Sequence, residues 1–241
     1  MSLLPSVRTI ELTKSLMARF LVRNKIPTFT TFASLLRMTT KYGFPDIREA
    51  LIGELKGAYP TKWEDFETAK ILGEDVFGSP KPHPNAVLNL LLEQRVKFAL
   101  PFAAYRAGLG SPVDLASEKR GTTLPRLTIA YIIHGTGVMR RAMAYAMQTF
   151  LFTRNPGVCA EETCAMGSSV TSAGQRTEAL KKITEVIARK CGNDPLSPLS
   201  FGNLLCAGCA RPLVSAHRTC RKRLVWEDLP TLIGRESWES A

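Results

Sequence analysis

The sequence lacks most of the signatures that assign a chain to a function class. It has no Gly-rich phosphate loop, neither a Walker pattern nor a dinucleotide fingerprint, which removes the usual nucleotide-dependent enzymes. No paired acids stand out in an apolar setting, so acid–base hydrolysis has no candidate residues. No uncharged apolar run approaches the ~20 residues a spanning helix needs. The best stretch, Leu127 to Met139, contains His134 and stops at Arg140 and Arg141. Met1 to Lys25 carries Arg8, Glu11 and Lys14 and does not read as a secretory signal. Six cysteines are too few for a disulfide-built scaffold. The expectation is therefore a soluble chain with reduced thiols, cytoplasmic or nuclear, with no membrane partner and no enzymatic activity.

Acids are also in deficit. There are 21 Asp and Glu against 32 Lys and Arg, a net charge of +11 over 241 residues. Such a surplus suits nucleic acid or acidic partners, and equally a merely basic surface. The one tight cluster is Arg218 with Arg221, Lys222 and Arg223.

What the sequence does contain is helical periodicity. Hydrophobic residues make up 45% and charged residues 22%, enough apolar content for a folded core. They recur at helical spacing nearly everywhere, so the expected class is all-α, an irregular multi-helix domain. Residues 1–27 form a poorly defined segment containing at most a short amphipathic helix. Residues 28–73 hold a helical pair and a following helix. Thr28 or Thr30 caps the first helix, which stops at Gly43. Pro45 opens the second, with Ile47, Leu51 and Leu55 on one face. Thr61 and Glu64 fit a capping box for the third, which carries Trp63, Phe66, Ile71 and Leu72 and ends at Gly73. The loop 74–84 reads as the internal boundary, with His83 exposed and without a role.

Residues 85–241 form a C-terminal helical domain with cysteine-containing segments. Asn85 caps a helix through Val96, and Pro101 breaks or bends the chain. The longest helix is expected over Leu127 to Phe152, bent at Gly135 or Gly137. Its apolar side takes in Ile129, Ile132, Ile133, Val138, Met143, Met147 and Phe150, with His134 a buried or half-buried structural histidine. A capping box at Ser172 and Gln175 starts a further helix through Lys190.

The chemistry gathers near the end of the chain. Cys206 and Cys209 form a C-x2-C, followed by His217 and Cys220 and preceded by Cys159 and Cys164. Four thiolates or imidazoles converging on one ion make a closed structural zinc site. Two ligand sets can be written: a local one of Cys206, Cys209, His217 and Cys220, and a two-pair one of Cys159, Cys164, Cys206 and Cys209. On one continuous helix Cys209 and His217 lie about 12 Å apart along the axis, too far to share an ion. The local set therefore needs a helix that begins near Pro212. The two-pair set survives either way, because residues at i and i+3 share a face. A third reading needs no metal. Cys206, Cys209, Leu213, His217, Cys220 and Leu224 follow the spacing of one helical stripe, and buried cysteines are ordinary core residues. A thioredoxin-like thiol catalyst would need a strand–helix context that the sequence does not offer.

Several motifs also resemble a known family. Leu35 to Tyr42, Ile47 to Ala50 and Tyr59 to Thr61 look like the end of the BTB/POZ domain in large fungal (mushroom-type) BTB proteins. Ala99 to Tyr105, the two cysteine pairs, His217, and Trp226 to Pro230 through Gly234 and Trp238 resemble that family's C-terminal helical region. In the family the BTB domain self-associates and can recruit cullin-type ubiquitin ligases. The strand-rich BTB body has no counterpart in this sequence, so the resemblance extends neither to self-association nor to cullin recruitment. It implies a non-enzymatic protein-interaction or adaptor module. The alternative from another class is a zinc-stabilised nucleic-acid-binding protein.

Overall fold

A computed structural model describes residues 28–68, 77, 80–116, 123–153, 159, 164 and 173–235. The expected N-terminal helix, the second half of the helix ending at Gly73, the capping pair at Ser172, and Trp238 lie outside these residues. Among the described residues the chain is helical and holds no strand, as the all-α class requires. No helix among them is long and apolar enough to cross a membrane.

The chain divides into two compact units. The first comprises residues 1–107 and 116–124, the second 108–115 and 125–241. The described part of the expected boundary at 74–84 belongs to the first unit, and the division instead follows Ala107.

In the first unit, α1 (Phe29–Tyr42) packs against α2 (Pro45–Ala58). The Thr28 hydroxyl accepts the Thr31 backbone N–H at 3.3 Å and caps α1. Gly43, at φ 69°, ends it in the left-handed conformation that glycine adopts without a Cβ penalty. Ile47, Leu51 and Leu55 are buried on one face of α2. The short α3 (Trp63–Thr68) stacks Trp63 on Phe66 at 5.3 Å. Phe66 and Tyr59 then meet Phe102 edge-on at 6.0 and 6.2 Å.

Helix α4 spans Pro84–Glu93 and is shorter than expected. His83, not Asn85, is its cap: the His83 Nδ1 accepts the Asn85 N–H at 3.3 Å. The helix ends because Arg95 turns left-handed at φ 54° and the Val96 N–H reaches back to the Leu91 carbonyl. Pro101 does not break the chain. It lies in the first turn of α5 (Leu100–Gly108), where its missing N–H would have no partner anyway.

The second unit is built on α7 (Arg126–Thr153), after a single turn, α6 (Pro112–Leu115). Against α7 pack α8 (Ala173–Asn193), α9 (Ala207–Cys220), a π-helical turn over Arg221–Trp226 and a 3-10 turn over Leu229–Ile233. Helix α7 is continuous through both glycines. Gly135 serves close packing instead, since a Cβ there would collide with Leu232. The buried face of α7 is Ile132, Thr136, Met139, Met143, Met147 and Leu151. This corrects the expected face: Ile133 and Val138 are 40% and 43% exposed, and His134 is exposed rather than buried. Ile132, Met143 and Met147 of the expected face are buried, and the exposed members join them only because α7 carries apolar residues on both sides.

Candidate metal centre

Helix α9 sets the geometry of the cysteines. Cys206 is its N-cap, with extended backbone (φ −66°, ψ 164°), and Ala207 is its first helical residue. Cys209 follows in the first turn, so both sulfurs lie at the helix N-terminus, where the free amides and the dipole favour negative charge. Pro212 lies inside α9 and does not start it. The local ligand set required that start, so Cys209 and His217 stay about 12 Å apart along the axis. His217 is buried beside Arg221, and Cys220 lies near the Cys191 thiol.

The two-pair set is brought together. The sulfurs of Cys159, Cys164, Cys206 and Cys209 all lie within 4.8 Å of one another. The Cys159 and Cys206 sulfurs are 3.5 Å apart, and the Cys206 N–H donates to the Cys164 sulfur at 3.5 Å. Four sulfurs at about 2.3 Å from a tetrahedral zinc would stand about 3.8 Å from one another. The observed spacing therefore needs only small side-chain adjustment to reach that geometry. Cys164 is buried and the other three are half-buried, and none of the four is in a disulfide.

The electrostatics suit a cation. The backbone amide of Cys209, followed by the Cys159 side chain, lowers the Cys206 thiol to about 7. The Cys209 thiol moves the other way, raised first by burial and then by the sulfurs of Cys159, Cys206 and Cys164. Without an ion, the Cys206 thiolate is favoured while Cys209 resists ionisation. A divalent cation bound by Cys159, Cys164, Cys206 and Cys209 would compensate the accumulated charge and favour the thiolate form of all four. The remaining cysteines are different. Burial raises the buried Cys191 to about 11 and also raises the half-buried Cys220.

The basic cluster is only partly exposed, with Lys222 half-buried. Arg218 and Arg223 are exposed, but Arg221 is buried in the π-helical turn. Sequence reading also missed the solvent face of α7, where Leu127, Tyr131, Val138 and Tyr145 stand exposed. Their spacing of 4, 7 and 7 residues would have revealed it. Comparison with protein-family models, curated proteins and solved structures finds no match to this chain.

Proposed function

We propose that the chain is a non-enzymatic protein-interaction module whose second unit is fastened by one structural zinc ion on Cys159, Cys164, Cys206 and Cys209. The convergence of four sulfurs within 4.8 Å carries the metal reading. An all-thiolate, closed donor set is the pattern of a structural site rather than a catalytic one, which keeps a position open for water or substrate. The interaction role rests on the similarity to the post-BTB helical region and on the exposed apolar face of α7. Purified protein should contain near one equivalent of zinc, and Cys206→Ser should lose it. Zinc-free wild-type protein would end the metal reading.

The surplus of positive charge supports a second reading, a zinc-stabilised nucleic-acid-binding protein. Burial of Arg221 removes the centre of its basic cluster and counts against it. Titration with random duplex DNA separates the two. The interaction module should not bind at low salt, whereas a nucleic-acid binder would bind there and weaken steeply as salt rises.

A further inference from the structure

The first unit holds a cavity of about 70 Å³. One water needs about 10–15 Å³ of such space, so this cavity admits a group of about five heavy atoms. Tyr59, which closes α2, lines one side, and Val87 in the first turn of α4 lines another. Phe102, Ala103 and Arg106 line it from one face of α5, since residues three and four apart are neighbours on a helix. Lys81, exposed ahead of α4, completes the polar part of the lining. Among the described residues no acid lines it.

Tyr59 is only 5% exposed, yet its hydroxyl has no hydrogen-bond partner among the described residues. A buried hydroxyl ordinarily has one, and leaving it without a partner costs stability. The Arg106 charge acts on the same phenol: burial raises the Tyr59 pKa and Arg106 opposes the rise. Hydroxyl and guanidinium therefore lie near each other. The opposite wall is rigid and apolar. Phe102 meets Tyr59 and Phe66 edge-on at 6.2 and 6.0 Å and stacks on Tyr105 at 6.2 Å, so the cavity is preformed.

We infer that this cavity binds a small carboxylate with a short apolar tail, either a free acid or the last residue of a peptide. Arg106 offers the forked donors that suit two carboxylate oxygens, and the Tyr59 hydroxyl donates to one of them. Lys81 adds a second positive charge. The tail packs on Val87, Phe102 and Ala103. A phosphate fits less well, because its four oxygens all need donors and the apolar wall has none. The site involves neither the cysteine cluster nor the α7 face, and it adds a ligand to the interaction-module reading without depending on it.

Ligand-detected NMR titration of the full chain with propionate, an acid of five heavy atoms, tests it. The wild type should bind with a Kd of about 1 mM. Propionamide, equal in size but uncharged, should bind at least about tenfold more weakly. Tyr59→Phe removes only the hydroxyl. It should weaken propionate binding about fivefold to tenfold while leaving the melting temperature unchanged or raised. Arg106→Gln should weaken binding at least about tenfold. Should that variant unfold, Tyr59→Phe and the exposed Lys81→Gln carry the test. Acetyl-glycyl-alanine is compared with its C-terminal amide: tighter binding than propionate by the acid alone assigns the site to peptide ends, and weaker binding to free acids. Either result upholds the carboxylate. No propionate binding below about 20 mM overturns the inference. So does equal binding of propionamide, or a Tyr59→Phe variant that binds like the wild type. Inorganic phosphate that binds more tightly than propionate overturns the carboxylate assignment.

Discussion

The Cys159 and Cys206 sulfurs lie 3.5 Å apart although 47 residues separate them in the chain. Such a contact closes a long loop onto the start of α9. A covalent link across a loop of that length would contribute about 4 kcal/mol by chain entropy alone. Chelation should therefore lower the melting temperature of the second unit, and zinc should restore it. Cys191→Ser and Cys220→Ser, outside the cluster, should leave the metal content unchanged. Elemental analysis alongside calorimetry checks both outcomes.

His217 should make stability fall in mild acid. Burial, with the Arg221 charge in second place, lowers its pKa from 6.5 to about 4. The neutral ring is therefore favoured by folding. That contribution is complete above 6.5, falls as pH drops below it, and is gone below about 4. At about 1.4 kcal/mol per pH unit it amounts to roughly 3 kcal/mol. His217→Gln should flatten denaturant midpoints measured between pH 4 and 7; an unchanged profile would show that His217 does not set it.

Two glycines should respond in opposite directions to alanine. At Gly108 a Cβ would collide with the Thr136 side chain and stand 2.8 Å from the Ile132 Cγ2. Both neighbours are β-branched and stiff within a helix, so Gly108→Ala should cost about 1–3 kcal/mol. Gly53, in the middle of α2, has nothing within 4 Å of its Cβ position. Gly53→Ala should stabilise by about 0.5–1 kcal/mol through lost unfolded-state entropy. Thermal melts of the two variants suffice.

The forked pair between Arg37 and Glu93 should matter little. Its Nη2–Oε2 distance is 2.7 Å, but the side chains are 47% and 44% exposed. The hydrogen bond from Arg37 holds Glu93 below its ordinary carboxylate value, so the contribution is present at neutral pH and disappears as the carboxyl protonates in acid. Solvent screening keeps it under ~1 kcal/mol. Glu93→Gln should shift the denaturant midpoint barely, and still less at high salt.

Local signals in the sequence proved legible where they act alone. Thr28, Gly43, Pro45 and the Ile47–Leu51–Leu55 face settle α1 and α2 because caps, a left-handed stop and one apolar stripe all agree. The cysteine set was legible once helix geometry set Cys209 and His217 about 12 Å apart, too far for one ion. What failed depended on tertiary context. His134 was assigned to the core because α7 has apolar residues on both sides, and only packing by α8 and α9 decides which side is covered. Pro212 marks a plausible helix start, yet Cys206 caps α9 six residues earlier. Likewise, Arg221 belongs to a basic run that looked solvated, and the π-helical turn carries it inward.

The ligand set itself offers the most direct test of the account. X-ray absorption at the zinc edge on the purified chain reports the donor atoms around the ion. Cys159, Cys164, Cys206 and Cys209 predict four sulfur neighbours at about 2.3 Å and no nitrogen or oxygen in the first shell. A spectrum requiring an imidazole nitrogen, or fewer than four sulfurs, would contradict the site.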